Sequence, residues 1–136
     1  MSYAGAGALQ AAVFGALGAS AALSDVVGSA IYDAVPSGNM PPIYVRLGGE
    51  TVTDASDGTG GAALHRFTVS VISTQSGFAS AKSAGAAICD ALIDASLNLA
   101  RGRLISLRFE RARATRIDGG SARQIDLRFA ARVQND

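Results

Sequence analysis

The sequence predicts an α+β fold: a small, mostly antiparallel sheet of about four strands, a long helix packed on one face, and a further helix at the N-terminus. Three observations predict it. Near the C-terminus Ile125, Leu127, Phe129, Ala131 and Val133 alternate with Gln124, Asp126, Arg128, Ala130 and Arg132, the period of two that marks a strand with one dry and one wet face. Over residues 78–97, Phe78, Ala81, Gly85, Ile88 and Leu92 recur at helical spacings of three and four. Two more alternating runs precede that helix, so the order reads helix, strand, long loop, strand, helix, strand, strand.

Taken from the N-terminus, Leu9, Val13 and Leu17 recur every four residues with Ala12 and Ala16 beside them, which predicts a small-residue helix over 4–17 ended by Gly18. A helical turn capped by Ser24 is expected over 24–29. Pro36, Pro41 and Pro42 exclude regular helix up to the strand 43–47, at whose start Pro42 is tolerated. Residues 48–63 hold five glycines and the acids Glu50, Asp54 and Asp57, and read as a long loop in which only Thr51-Val52-Thr53 add extended residues. The strand 64–73 places Phe67, Val69 and Val71 on one face and Arg66, Thr68 and Ser70 on the other; Ile72, on the second face, implies that both sides are partly covered there. Ser76 is the expected cap of the long helix, and Gly102 separates that helix from a terminal hairpin of residues 104–117 and 123–133. Asp118-Gly119-Gly120-Ser121 forms its turn.

At 136 residues, with no internal repeat or linker, the chain is expected to be a single domain spanning 1–136, which buries roughly two thirds of its unfolded surface. One cysteine, Cys89, forms no internal disulfide, so a reducing cytoplasm is the default compartment. The first charge is Asp25. The segment before it lacks the basic stretch of a signal peptide, although Ala19-Ser20-Ala21 imitates a cleavage site, and its glycines dilute it below a membrane span; a soluble helix is expected.

The net charge of +1 hides a split. Residues 1–100 carry three bases against seven acids, a net of −4, whereas residues 101–136 carry nine arginines against four acids, a net of +5. Such a dipolar chain favours association with copies of itself or with partners, and eleven arginines to one lysine suit planar carboxylate pairing across interfaces. The bland alternative is an ordinary solvated strand face.

Catalytic chemistry finds little support. Gly77 lies five rather than six positions before the only lysine, Lys82, and no Gly-Lys-Ser/Thr occurs, which excludes a phosphate loop. Gly58-Thr59-Gly60-Gly61 precedes a strand rather than a helix, so it is no dinucleotide site. His65, the only histidine, has no nucleophile elbow to serve and reads as structural or surface; Cys89 reads as a small buried hydrophobe. Asp90 and Asp94 lie one helical turn apart on what is expected to be a solvated face. Glu50, Asp54 and Asp57 lack the calcium-loop pattern, and an acidic loop meeting a basic partner surface is the preferred reading. No catalytic, cofactor or metal residue is assigned. With five Phe, three Tyr and no Trp, no stacking platform for single strands is expected, and the first helix has no basic face for a membrane surface.

In order and spacing the chain resembles the tail terminator, or tail completion, neck proteins of long-tailed phages and gene transfer agents. The residues that carry the resemblance are Ala8, Leu9, Ala12 and Leu17 in the first helix, Ile31-Tyr32-Asp33 followed by Pro36, then Pro42-Ile43-Tyr44-Val45 and Leu47-Gly48. Glu50 and Asp54, His65 opening a strand to Ser73, Gly77 with Ala81-Lys82, and Arg116, Asp118-Gly119, Arg128-Phe129 and Arg132 complete it. Two positions depart: Ile43 stands where the family often has an aromatic, and Ile72 where it often has Trp, both apolar exchanges that affect packing detail.

The resemblance implies a structural virion or gene transfer agent protein of the head–tail neck, assembled in the bacterial cytoplasm. It implies a homo-hexameric ring that caps the tail tube, ends its polymerisation and joins it to the head connector. Its expected partners are itself, the major tail tube protein and the head connector or stopper; double-stranded DNA passes through without sequence-specific binding. Glu50, Asp54 and Asp57 are the expected ring or lumen loop, and Arg108, Arg111, Arg113, Arg128 and Arg132 the expected subunit or tube interface. The alternative in the same assembly is a head-side stopper; a small hydrolase or ligand-binding domain is disfavoured by the single histidine and the missing nucleophile elbow and metal clusters.

Overall fold

The computed structural model describes residues 2–58, 60–93 and 96–135. In chain order these form helices α1 (Ala6–Gly18) and α2 (Ala21–Val27), strands β1 (Ile31–Tyr32), β2 (Ile43–Asp54) and β3 (Ala62–Ser73), helix α3 (Ala79–Ile93), and strands β4 (Arg103–Ile117) and β5 (Ala122–Gln134). The strands make one sheet in the order β1-β2-β3-β5-β4. Every pairing is antiparallel except β1 with β2, where Ile31 and Tyr32 run parallel to Val45 and Arg46. The α+β class therefore stands, with one more strand than the sequence predicts. β1 is two residues long, too short to show alternation.

The alternation read from the sequence is the one the core uses. Ile125, Leu127, Phe129, Ala131 and Val133 are all buried, and through the register they share a face with Val69 and Val71 of β3 and Val45 of β2. All three helices pack there, for Leu9, Val13 and Leu17 of α1, Leu23 and Val27 of α2, and Ala81, Ala84, Ile88 and Leu92 of α3 join the same apolar cluster. Small residues let α3 sit close to the strands: a Cβ on Gly85 would stand 3.8 Å from a Leu127 methyl. On the second face Ile72 is also buried, as the sequence predicts.

Four boundaries differ from the sequence reading, each for a local reason. The second helix begins at Ala21 and is capped by Ser20, whose Oγ accepts from the Leu23 amide at 3.2 Å; Ser24 lies inside it. α1 starts two residues later than expected and includes Gly18. The long helix covers Ala79–Ile93 rather than 78–97, leaving Phe78 just before it, where Lys82 and Arg123 lie over its ring. The largest change concerns 48–63. Most of this predicted loop is strand, because β2 continues to Asp54 and β3 begins at Ala62, leaving a connection of 55–61. The glycines mislead here: Gly48 and Gly49 form a bulge between the pairs Leu47/Val69 and Glu50/Phe67, after which pairing resumes. The hairpin turn lies where the sequence puts it, over Asp118–Gly120.

Gly102, at the entry to β4, has φ +79, and a Cβ there would meet the Gln134 carbonyl oxygen at 2.8 Å, so both conformation and space demand glycine. Phe129 is 0% exposed and sits between two rings, stacked on Phe67 at 5.6 Å and edge-on to Phe109 at 6.0 Å. Replacing it with alanine opens a hole at the centre of the sheet. Phe129→Ala is expected to cost about 3–5 kcal/mol in chemical denaturation, against less than half of that for Phe109→Ala at the half-open edge.

Candidate interaction surfaces

With the helices on one face, the other face of the sheet is left to side chains alone. Cross-strand register aligns its rungs: Arg46–Ser70–Asp126–Arg113, Thr51–Arg66–Ala130–Arg108, Thr68–Arg128–Arg111 and Leu64–Arg132–Ser106. All five arginines expected at an interface, Arg108, Arg111, Arg113, Arg128 and Arg132, thus share this open face, and Arg46 and Arg66 join them. A regular β4 would not allow it, since residues 108 and 111 of a strand point to opposite sides. A bulge at Glu110, between the pairs Phe109/Phe129 and Arg111/Arg128, reverses the alternation and brings Arg108 together with Arg111 and Arg113. Ala130, between Arg66 and Arg108 on its rung of this face, is only 1% exposed.

The arginines fall into two groups. Arg66 Nε donates to both carboxylate oxygens of Glu110 at 3.2 and 3.3 Å, and Arg108 approaches the same carboxylate at 4.0 Å. Arg132 turns inward: it donates to the Ala55 carbonyl at 2.7 Å and lies 4.0 Å from Asp57, tying down the β2–β3 turn. Arg111, Arg113 and Arg128, in contrast, have no carboxylate within 4 Å among the described residues. Arg111 stands directly opposite Arg128, a like-charge pair that costs stability. Asp126, opposite Arg113, accepts instead from Ser70 Oγ at 2.6 Å and Gln124 Nε2 at 2.9 Å. Three cations are therefore held beside one another with their charge available to an acidic partner.

The acids 50, 54 and 57 do not form one loop. Glu50 lies in β2 just after the bulge, on the helix face, where the Tyr3 hydroxyl donates to it and is thereby pushed up in pKa, chiefly by that bond and also by the carboxylate's charge. Asp54 ends the strand and accepts from the Ser56 amide and hydroxyl, while Asp57 accepts from the Gly60 amide inside the turn. Among the described residues no three His, Cys, Asp or Glu side chains gather as a metal site would require. Asp90 is exposed; its supposed partner Asp94, and Thr59 of the glycine-rich stretch, lie outside the described residues. Among the described residues no single helix is long and apolar enough to cross a membrane.

His65 is a core residue, 0% exposed, and neither ring nitrogen has a hydrogen-bond partner among the described residues. Among the described residues no hydroxyl or thiol is therefore hydrogen-bonded to it for activation. Burial lowers its pKa, opposed by the charge of Glu50. Cys89 is half-buried, and burial, with help from Asp90, raises its pKa and keeps the thiol protonated. Sequence reasoning misses Arg46, Arg66, Glu110 and Tyr3 as parts of these surfaces. The alternation of 64–73 does put Arg66 opposite Phe67, and that signal pointed to the charged face.

The sequence model of the family described as "Tail completion protein gp17" matches residues 11–134. A solved structure titled "Virion of native gene transfer agent (GTA) particle" contains a chain 55% identical to this one, superposing with a TM-score of 0.93 over 98% of this chain and 100% of that one. No curated protein matches.

His65 also makes a pH prediction. Because its folded pKa lies below the ordinary 6.5, the unfolded chain takes up a proton first as pH falls, so stability present above about pH 6.5 is lost below it. His65→Leu, which removes two unpaired buried nitrogens, is expected to raise the denaturation midpoint at pH 7 and to flatten the loss between pH 6.5 and 5, whose slope approaches at most about 1.4 kcal/mol per pH unit for one group. An unchanged pH profile in that variant would show that His65 does not titrate with folding.

Proposed function

The chain belongs to the tail completion protein family, and from that premise we propose that it is a structural component of the neck of a phage-like or gene transfer agent particle, capping the tail tube as a ring, ending its polymerisation and joining it to the head connector. The observation that supports this best is the full-length likeness, at 55% identity, to a chain of a gene transfer agent virion. The surfaces agree with it. A protein that works by stacking and lateral association needs charged, unpaired surface and free sheet edges, and this one keeps Arg111, Arg113 and Arg128 without carboxylate partners among the described residues. Among the described residues no three His, Cys, Asp or Glu side chains cluster, and a structural role accords with the family.

In this reading the partners are further copies of the chain, the tail tube subunit below and the head connector above, with DNA passing through the ring. The arginine face supplies bidentate carboxylate pairing to one of those proteins.

Deleting the gene in its producing host and imaging the particles tests the cap. Filled heads beside overlong, unattached tubes are expected; leaking heads beside tails of normal length would move the protein to the head side, and intact particles would overturn a neck role. The double variant Arg111→Glu/Arg113→Glu changes only exposed side chains. It is expected to fold normally by circular dichroism yet to lower the yield of tailed particles roughly tenfold or more, the effect of about 1.4 kcal/mol at an interface.

A further inference from the structure

The two lateral edges of the sheet are unlike and matched. On one side β1 pairs only with Val45 and Arg46, so β2 from Gly48 to Asp54 has no neighbouring strand on that side among the described residues. This free stretch carries Glu50 and Asp54 and no base. No cation lies within 4 Å of Glu50 among the described residues, and the Tyr3 hydroxyl donates to its carboxylate. Between this stretch and α1 lies a hollow of about 230 Å³, walled by Leu9, Val13, Leu47 and Phe67 with Glu50 at its rim. On the other side β4 pairs only with β5, and its fifteen residues carry five arginines against one glutamate. It also holds Phe109 on the helix face, 44% exposed, whereas Phe129 of that aromatic row is fully buried and Phe67 partly so.

The register joins these features. Glu50, Phe67, Phe129 and Phe109 are direct cross-strand neighbours, one rung crossing β2, β3, β5 and β4 on the helix face. Each end of that rung is marked by a bulge, at Gly48-Gly49 and at Glu110. An acid and an apolar hollow stand at one end, and an exposed phenylalanine in an arginine-rich strand at the other. Complementary patches on opposite edges make a head-to-tail contact, which closes into a ring when the rotation permits and never into an isologous dimer.

We propose that a second copy of this chain seats its β4 edge along the free half of β2, so that its Phe109 enters the hollow beside Gly48 and Gly49 and the aromatic rung continues from copy to copy. This rests on the ring reading above and names the seam. The backbone groups of both edges gain strand partners, the hollow gains a ring of the size it lacks, and the acidic stretch meets the basic one.

Cross-linking in assembled particles tests it. In a Cys89→Ser background, Gly49→Cys and Ala112→Cys add one exposed thiol to each edge, Ala112 lying in β4 outside the arginine face, and a Cβ on Gly49 meets nothing within 4 Å. A short bis-maleimide is expected to give a ladder of this chain with itself, absent when either cysteine is omitted, and Phe109→Ser is expected to lower the cross-linked fraction at least tenfold. Normal tails without any self-product would overturn the seam while leaving the cap intact, as would a product containing only another virion protein. Folding of Phe109→Ser is checked by its denaturation midpoint, and a well-folded variant that cross-links like the parent would overturn the role given to Phe109.

Discussion

The rung Glu50–Phe67–Phe129–Phe109 is the constraint on which the rest of the sheet depends. Phe129 is enclosed on both sides by aromatic rings, and a ring-on-ring contact tolerates a slip of one residue in neither strand, because a slip would send Phe129 to the solvent face. β3 and β5 pair without interruption over twelve residues around it, whereas both irregularities of register nearest the rung fall in the outer strands. The centre is thus rigid and regular, and departures from regularity are displaced to the edges, where they shape surface rather than core.

The bulge at Glu110 shows what such a departure achieves. One inserted residue bends the edge strand and turns Arg111 and Arg113 to the face that Arg108 already occupies. The inserted Glu110 points the same way and holds Arg66. That pair is partly exposed and worth at most about 1 kcal/mol, so its effect is to fix the direction of the strand and its charges more than to stabilise the fold. A second bulge near Ile105 interrupts the same edge, and a long strand with two interruptions is a poor template for indiscriminate pairing.

How much of this was legible in the sequence depends on whether a residue's position follows from local period or from a defect in it. The core face of β5, the face assignment of Arg66 and the partial cover of Ile72 follow from alternation alone, and the structure agrees with each. The long helix was legible by its spacing of three and four, but not its end, since Leu97 pairs with the core from an irregular segment. The stretch 48–63 was misread because glycine pairs signal loop and bulge alike, and only the strand opposite decides between them. The gathering of Arg108, Arg111 and Arg113 could not be read at all: in an unbulged strand they divide between faces, and nothing in Phe109-Glu110-Arg111 announces the insertion. Ser20 as a cap was missed because Ser24, in the same local composition, fits the cap preference equally well.

The unpaired like charges are best understood together with the bare edges. Folding alone gains nothing from placing Arg111 opposite Arg128, or from leaving fifteen residues of β4 backbone open on one side. Both features lower the stability of the isolated chain, and in the proposed assembly both are relieved by contact with another protein, which shifts free energy from the fold to the assembly. Charge acts at longer range than shape, and in the proposed assembly repulsion between the arginine faces of two copies disfavours their stacking on one another. A hollow and a phenylalanine at opposite edges act only at contact, and reward a single register. In the proposed assembly the two kinds of term lie on separate surfaces, the open face and the two edges, so that one can be satisfied before the other.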